Sequence, residues 1–338
     1  MLLATLPPHQ TAQPPLQPSN EPLSVTLRHV AQLAQDISSF ELTAIDGGCL
    51  PPFTAGSHID IHLPNGMIRQ YLLCSDPADT ARYVVAVLRD TQGRGGSVAM
   101  HDELQPGSNI KISRPRNHFP LVHGARKHHL VAGGIGITPM MSMMATLQAR
   151  NEAFHLYYCT RSKERAAFLD TLQPVVAAGF ASIHYDDEQG CGFDFATAFK
   201  TPQQGDHVYY CGPNGFMNAM QQATEHWPEG TVHFERFGAP NATEIDADAS
   251  PPEEFTVQLA RSGGTYVVKP GETIVEVVTR HGVEIDVSCE EGYCGTCMTR
   301  YLAGQPEHHD TVLDEDDREN FVMVCCARAR GEPLVLDL

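Results

Sequence analysis

The sequence predicts a chain of three folded units: a small antiparallel β-barrel or sandwich, an α/β unit on a parallel sheet, and a cysteine-rich C-terminal unit. Three observations carry this. Short alternating or valine-rich runs with turn signals fill residues 24–123. From Lys127 strands and helices alternate. Half of the ten cysteines lie after residue 288. A chain of 338 residues has room for two or three domains.

Residues 1–22 hold six prolines and few large apolar groups, the composition of a flexible tail. His58 to Leu63 alternates polar and apolar, as a half-buried strand does. Pro64-Asn65-Gly66 is a turn, and a second strand runs from Met67 to Cys74. Tyr83 to Leu88 is another strand. These belong to a unit at 23–123. The next unit, 124–238, has strands at His129–Ala132, Phe154–Cys159, Ala181–Tyr185, His207–Cys211 and Val232–Phe237. Helices are expected from Thr138, over Ala166–Val176 and from Asn214 to Trp227, packed on both faces of the sheet. Thr138 reads as the N-cap and Pro139 as the first helical residue. Residues 239–253, rich in Ala, Asp and Pro, form a linker. The last unit, 254–338, opens with strands at Thr256–Ala260 and Thr265–Val268. Thr273 and Glu276 have capping-box spacing, and Gly282 marks the end of that helix.

The composition, 42% hydrophobic and 19% charged, is that of a globular protein. A net charge of −18 disfavours nucleic acid and anionic membranes as partners. Leu130 to Ala149 is free of charged residues, but Gly133, Gly134, Gly136 and Pro139 break it, so it reads as strand, turn and helix rather than a membrane span. Met1 to Leu6 lacks a basic flank and is too short for a signal peptide. The five scattered cysteines, Cys49, Cys74, Cys159, Cys191 and Cys211, read as buried thiols of a reducing compartment. A soluble, cytoplasmic protein is expected.

The sharpest chemical signal is Cys289, Cys294 and Cys297, spaced C-x4-C-x2-C, with Cys325 and Cys326 further on. That is the plant-type [2Fe–2S] spacing. Three thiolates converge from one loop and a fourth arrives from elsewhere. Gly292 and Gly295 let the loop fold tightly enough for its N–H groups to face the sulfurs. A structural zinc site would pair C-x2-C with a second two-ligand knuckle. The spacing leaves Cys325 and Cys326 both open as the fourth ligand; strand alternation would aim only one of them at the cluster.

Three weaker signals accompany it. Gly133-Gly134-Ile135-Gly136-Ile137-Thr138-Pro139 lies where a strand feeds a helix, where glycines admit a pyrophosphate. It is not G-x-G-x-x-G. Gly95-Gly96-Ser97 offers backbone N–H groups to a phosphate, and Arg69 and Tyr71 share a strand face beside it. Tyr210-Cys211-Gly212-Pro213 ends a strand of the α/β unit, the edge where such sheets bind ligands.

These motifs, with Asn117-His118-Phe119-Pro120-Leu121 and His233-Phe234-Glu235-Arg236-Phe237-Gly238, occur in the order found in the phthalate dioxygenase reductase family. The chain resembles that family, and the vanillate demethylase and carnitine monooxygenase reductases, from about residue 24 to 338. The resemblance implies an FMN-binding β-barrel, an α/β NAD domain and a C-terminal β-grasp ferredoxin. It implies FMN held by Arg69, Gln70 and Tyr71, by Ala86, Val87 and Leu88, and by Gly95, Gly96, Ser97 and Val98. Thr138 would touch the flavin and Phe237 would cover it. Gly134, Gly136, Cys211, Gly212 and Pro213 would line the nicotinamide dinucleotide site. The adenosine loop would be Thr160-Arg161-Ser162, with Cys211 and Glu235 orienting nicotinamide. Met323-Val324-Cys325 followed by Arg328-Ala329 matches the family's Met-x-Cys-x-x-Arg-Ala, so Cys325 would join Cys289, Cys294 and Cys297.

Two positions depart from the pattern. Leu72 stands where the family has Ser or Thr near flavin N5. Thr160-Arg161-Ser162-Lys163 replaces Thr-Arg-Asp in the adenosine loop, so NADH is expected and NADPH stays open. The implied activity is that of a monomeric reductase passing electrons from NAD(P)H through FMN and [2Fe–2S] to a Rieske-type oxygenase. The rival readings are a redox sensor, an electron-transfer subunit of another flavoenzyme, and a zinc adaptor.

Overall fold

The computed structural model describes residues 21–93, 95–237, 254–287, 292, 295–310 and 312–338. Residues 1–20 of the expected tail, the linker 239–253, Gly238, Cys289 and Cys294 lie outside the described residues.

The first sheet is antiparallel. Its strands are β1 (Leu23–Ala34), β2 (Ile37–Ala44), β3 (Ser57–His62), β4 (Ile68–Leu72), β5 (Tyr83–Leu88), β6 (Asn109–Ile112) and β7 (Arg116–Asn117). The order is β4-β3-β6-β1-β2-β5, with β7 paired to β3. A bridge between Leu73 and Val85 joins the two ends and closes the sheet, which removes its free edges. Val25, Leu27, Phe40, Leu42, Ile59 and Ile61 fill the interior. Helix α1 (Gly96–Glu103) follows β5 and adds Ala99 and Met100 to that core.

Strand β3 corrects the sequence expectation. It is buried on both faces, so His58 and Asp60 are covered as well as Ile59 and Ile61. The cover comes from far along the chain. Arg116 Nη2 donates to Asp60 Oδ2 at 2.5 Å, and the His118 ring meets His58 edge-on at 5.1 Å. Alternation alone could not reveal a lid made 56 residues later.

The second sheet is wholly parallel: β8 (Lys127–Gly133), β9 (Phe154–Thr160), β10 (Ala181–Tyr185), β11 (Asp206–Gly212) and β12 (Val232–Arg236), in the order β10-β9-β8-β11-β12. Helices α2 (Ile137–Arg150) and α3 (Leu169–Ala177) cover one face. Two single turns, α4 (Asp186–Gln189) and α5 (Phe195–Ala198), lead to α6 (Asn214–Thr224), whose Met217 and Met220 pack with Val131, Tyr210 and Trp227 on the other. The apolar core on the α2 side continues into the barrel. Ile37, Cys74, Ala86 and Phe119 belong to one cluster with Met140, Met144 and Leu147.

Between β8 and α2 the chain makes an extra 3₁₀ turn, Gly134–Gly136, and Gly136 caps the helix. Thr138 is therefore within the first helical turn rather than at the N-cap, and its hydroxyl donates to Ile135 O at 3.2 Å. Three glycines allow this tighter coil ahead of the helix.

The third sheet is mixed: β13 (Phe255–Leu259), β14 (Thr265–Val268), β15 (Met298–Glu307), β16 (Phe321–Met323) and β17 (Arg328–Leu336), in the order β14-β13-β17-β15-β16. With α7 (Ile274–Arg280) against it this is a β-grasp, and α8 (Glu315–Arg318) is a single turn. The capping box forms: Glu276 N donates to Thr273 Oγ1 at 3.1 Å and Thr273 N to Glu276 Oε2 at 2.8 Å. Of the scattered cysteines, Cys74, Cys159 and Cys211 are buried as expected, but Cys49 and Cys191 sit exposed in loops.

Candidate active site

Closure of the barrel against the parallel sheet leaves a cavity of about 510 Å³ at their junction. Pockets for small ligands and cofactors have this size. Its floor is β4 and β5, which present Arg69, Gln70, Tyr71 and Leu72, then Ala86, Val87 and Leu88. One end is the loop Asp90 to Gly93 with Gly96 and Ser97 at the start of α1. The opposite wall is Ile135 and Thr138, with Glu235, Arg236 and Phe237 from the end of β12.

The two ends differ chemically. At α1 the first-turn N–H groups point out of the helix, and Gly95, at φ +83°, turns the chain into it. Ser97 Oγ accepts from Asp90 N at 3.0 Å, which pins the loop to the helix start. Arg69 brings a cation, its Nη1 donating to Ile68 O at 2.8 Å while its side chain lies against Gly96. The middle is apolar, from Leu72, Ala86, Val87 and Ile135. Burial raises the Tyr71 phenol above its ordinary range despite Arg69, so it stays a neutral, flat surface. A ligand with a phosphate at one end and a flat, largely apolar ring system fits these donors.

The second group of sequence-selected residues lies at the carboxyl edge of the parallel sheet. Gly134 and Gly136 follow β8, Thr160-Arg161-Ser162 follow β9, and Cys211-Gly212-Pro213 end β11. These strands are neighbours, so the three segments share one edge. Gly136 is held closely: an added Cβ would lie 2.0 Å from the Cys211 carbonyl oxygen. Cys211 is fully buried beside Glu235, its register partner on β12. Burial, then the Glu235 charge, pushes its thiol well above the usual range, so it is a neutral packing group. Thr160 Oγ1 donates to Ser162 O at 3.0 Å, while Arg161 and Lys163 are exposed.

Of the residues assigned to flavin, Gly95 and Val98 flank the cavity and the other ten line it. Gly93, which opens the glycine-rich turn 93–97 that the sequence offers to a phosphate, lines it as well, as do Asp90, Gln92, Ile135 and Arg236, which the sequence does not mark as site residues. Ile135 lies inside the Gly133–Pro139 motif, Arg236 inside His233–Gly238, and Asp90 and Gln92 stand just before the glycine-rich turn that opens at Gly93. Position in those motifs was the available signal.

The cysteine seat lies in the third unit. Cys297 and Cys325 are each 2% exposed in its core. Gly292 and Gly295 have φ of +77° and +75°, the left-handed region that glycine tolerates. Cys325 and Cys326 are not in a strand, so alternation does not separate them. They form a turn in which the N–H groups of Cys326 and Ala327 both donate to Met323 O, at 3.0 and 2.9 Å. Cys325 is buried, whereas Cys326 is half-buried against Gly292. Two buried thiols beneath a glycine-turned loop suit a thiolate-bound cluster. Cys289 and Cys294 lie outside the described residues.

Residues 257–330 match the family model for a 2Fe-2S iron-sulfur cluster binding domain. Residues 108–228 match that of the dimethylamine monooxygenase subunit DmmA-like N-terminal domain. The chain is 44% identical to phthalate dioxygenase reductase of Burkholderia cepacia over 309 residues, covering 91% of this chain and 94% of that protein. It is 42% identical to vanillate O-demethylase oxidoreductase of Pseudomonas putida, covering 90% and 96%. A solved structure of phthalate dioxygenase reductase, described as modular for electron transfer from pyridine nucleotides to [2Fe-2S], superposes with a TM-score of 0.74 at 42% identity, covering 94% of this chain and 98% of that one.

Proposed function

The chain belongs to the phthalate dioxygenase reductase family, and from this premise we propose that it is the NADH-dependent reductase of a Rieske-type oxygenase, with FMN and a [2Fe–2S] cluster as its carriers. The observation that supports this best is the cavity. It joins a phosphate-suited helix start on the barrel to the ligand edge of the parallel sheet. The domain limits we adopt are 23–123, 124–238 and 254–338.

When bound, the flavin would accept two electrons as hydride and release them singly to the cluster. The protein's own part is binding and placement. The amides at the start of α1 and Arg69 hold the phosphate. Tyr71, Ala86, Val87 and Leu88 form the bed for the ring. Thr138 fixes its edge, and Phe237, half-exposed at the cavity mouth, covers it. Gly134, Gly136, Gly212 and Pro213 let a dinucleotide approach the backbone, with Glu235 and Cys211 at the nicotinamide end. No side chain has to move a proton for hydride transfer. Cys289, Cys294, Cys297 and Cys325 bind the cluster.

Among the described residues no helix is long and apolar enough to cross a membrane. A cytoplasmic monomer is part of the proposal; the reducing compartment is supported by thiols left unpaired at Cys49, Cys74, Cys159, Cys191 and Cys211. The test is direct. The purified protein should show flavin and cluster absorption, release FMN on heating, and bleach both bands with NADH under anaerobic conditions. FAD as the released flavin, or a colourless zinc protein, would overturn the assignment. Comparing kcat/KM for NADH and NADPH tests Arg161 and Lys163, since Arg suits phosphate recognition.

A further inference from the structure

Two strands separate the cavity from the cysteine loop. His58 and Asp60 on β3 pair on one side with Leu72 and Gln70 of β4, which line the cavity. On its other side His58 pairs with Arg116 of β7. At about 4.8 Å per strand, the step from the cavity wall to β7 is roughly 10 Å. Beyond β7 lies the cysteine loop. Arg116 Nη2, held at 2.5 Å from Asp60 Oδ2, reaches to 3.5 Å from Thr296 Oγ1. The His118 ring lies against Gly295, its Cε1 3.1 Å from where a Cβ would stand.

These contacts are built rather than incidental. Asp60 is 5% exposed, so its carboxylate fixes the guanidinium firmly. His58 is 1% exposed and neither ring nitrogen has a hydrogen-bond partner. Burying an unsatisfied imidazole costs stability, and what it provides is a wall under His118.

We propose that Arg116 and His118 form a seat on the barrel that fixes the loop bearing Cys297, making Arg116 a positioning residue for electron transfer between flavin and cluster. This rests on the proposed function. Each event moves one electron from the reduced flavin to the oxidised cluster, with no bond made or broken.

The test uses the holoprotein and the variants Arg116→Ala, Arg116→Lys and Thr296→Val, the last approaching the contact from the loop. Stopped-flow absorbance with NADH separates flavin bleaching from cluster bleaching. Iron content, the reduced-cluster EPR spectrum and the midpoint potential report the cluster itself. Hydrogen exchange of the peptide 288–297 reports whether the loop is held. Arg116→Ala and Thr296→Val should reduce the flavin at the wild-type rate but the cluster several-fold more slowly. Loop exchange should rise, while iron, EPR and potential stay unchanged. Arg116→Lys should recover part of the rate. Wild-type cluster reduction and loop exchange in both Arg116→Ala and Thr296→Val would overturn the inference alone. A wild-type protein that lacks flavin or cluster, or does not pass electrons from one to the other, would overturn the proposed function with it.

Discussion

Replacing Gly136 by Ala tests whether the glycine turn sets the geometry of the nucleotide edge. The added Cβ would stand 2.0 Å from the Cys211 carbonyl oxygen, 2.4 Å from its carbon and 2.8 Å from Gly212 N. All three are backbone atoms, so no side chain can swing away. Real Cβ contacts begin near 3.0 Å, so the turn and β11 must separate by about 1 Å. Overpacking of this kind costs about 1–3 kcal/mol. For the barrel and parallel sheet taken as one body with a shared core, that is roughly 2–12 °C in Tm. The turn also carries Ile135 and Thr138 into the cavity wall, so the same shift would displace that wall against whatever the cavity binds. The expected loss in kcat/KM for NADH is on the order of 10- to 100-fold.

The assay is steady-state reduction of an artificial acceptor, with Tm by calorimetry and iron per chain. Iron should not change, because the core around Cys297 and Cys325 is separate from that of the turn. Gly215→Ala is the control. Gly215 is exposed in the first turn of α6, and an added Cβ meets nothing within 4 Å. It should stabilise by about 0.4–1 kcal/mol. If Gly136→Ala keeps wild-type Tm and kcat/KM, close backbone approach at the turn is not what the site requires.

Cys325→Ser should lose most cluster iron and the reduced EPR signal, and Cys326→Ser should keep both; the reverse pattern would exchange their roles. Acid should weaken the α/β unit through His233, whose pKa is lowered to about 4 by burial first and then by His207 and His128. His207 Nδ1 lies 3.0 Å from His233 Nε2. Because the folded pKa is below the unfolded value near 6.5, this stability is complete above pH 6.5 and is lost as pH falls towards 4. Tm measured from pH 7.5 to 4.5 should fall less steeply in His233→Gln, and parallel curves would refute the assignment. The C-terminal unit has 16 acidic against 7 basic residues, many of them in Asp310 to Glu319. Asp310 is not available for docking: it is buried, accepting from Leu313 N at 2.9 Å. Neutralising Glu315, Asp316 and Asp317 should flatten the salt dependence of electron transfer to the oxygenase, since exposed charges are screened beyond about 8–10 Å. A partner rate indifferent to salt in the unaltered protein would remove the acidic turn from the docking surface.

Where local pattern decides structure, the sequence was readable to the residue. Tyr83–Leu88, Ala181–Tyr185 and Thr265–Val268 are strands with those bounds, and Thr273 forms its capping box with Glu276. Where distant segments decide, it was not. The polar face of β3 is covered by Arg116 and His118, which no window around His58 contains. Thr138 has N-cap chemistry, yet the glycines before it take up an additional turn and move the cap to Gly136. Strand alternation cannot separate Cys325 from Cys326, because β16 ends at Met323 and the chain turns there. The cavity itself was legible through four motifs. That β4, β5 and the end of β12 face one another across it is a tertiary fact, set by the meeting of two sheets.

The apolar cluster that runs from α2 into the barrel bears on how a nucleotide enters. Bodies that share one core do not hinge against each other; relative motion is expected only across small or polar interfaces. With Ile37, Cys74, Ala86 and Phe119 locked among Met140, Met144 and Leu147, the slot between barrel and sheet has a fixed width. Admission would then fall to side chains at the rim, among them Phe237, which is exposed at the end of the cavity wall. Nicotinamide would displace a single ring rather than open a jaw. Scattering curves with and without a non-reducible NADH analogue should therefore superpose, and an expansion on binding would show that the shared core yields after all.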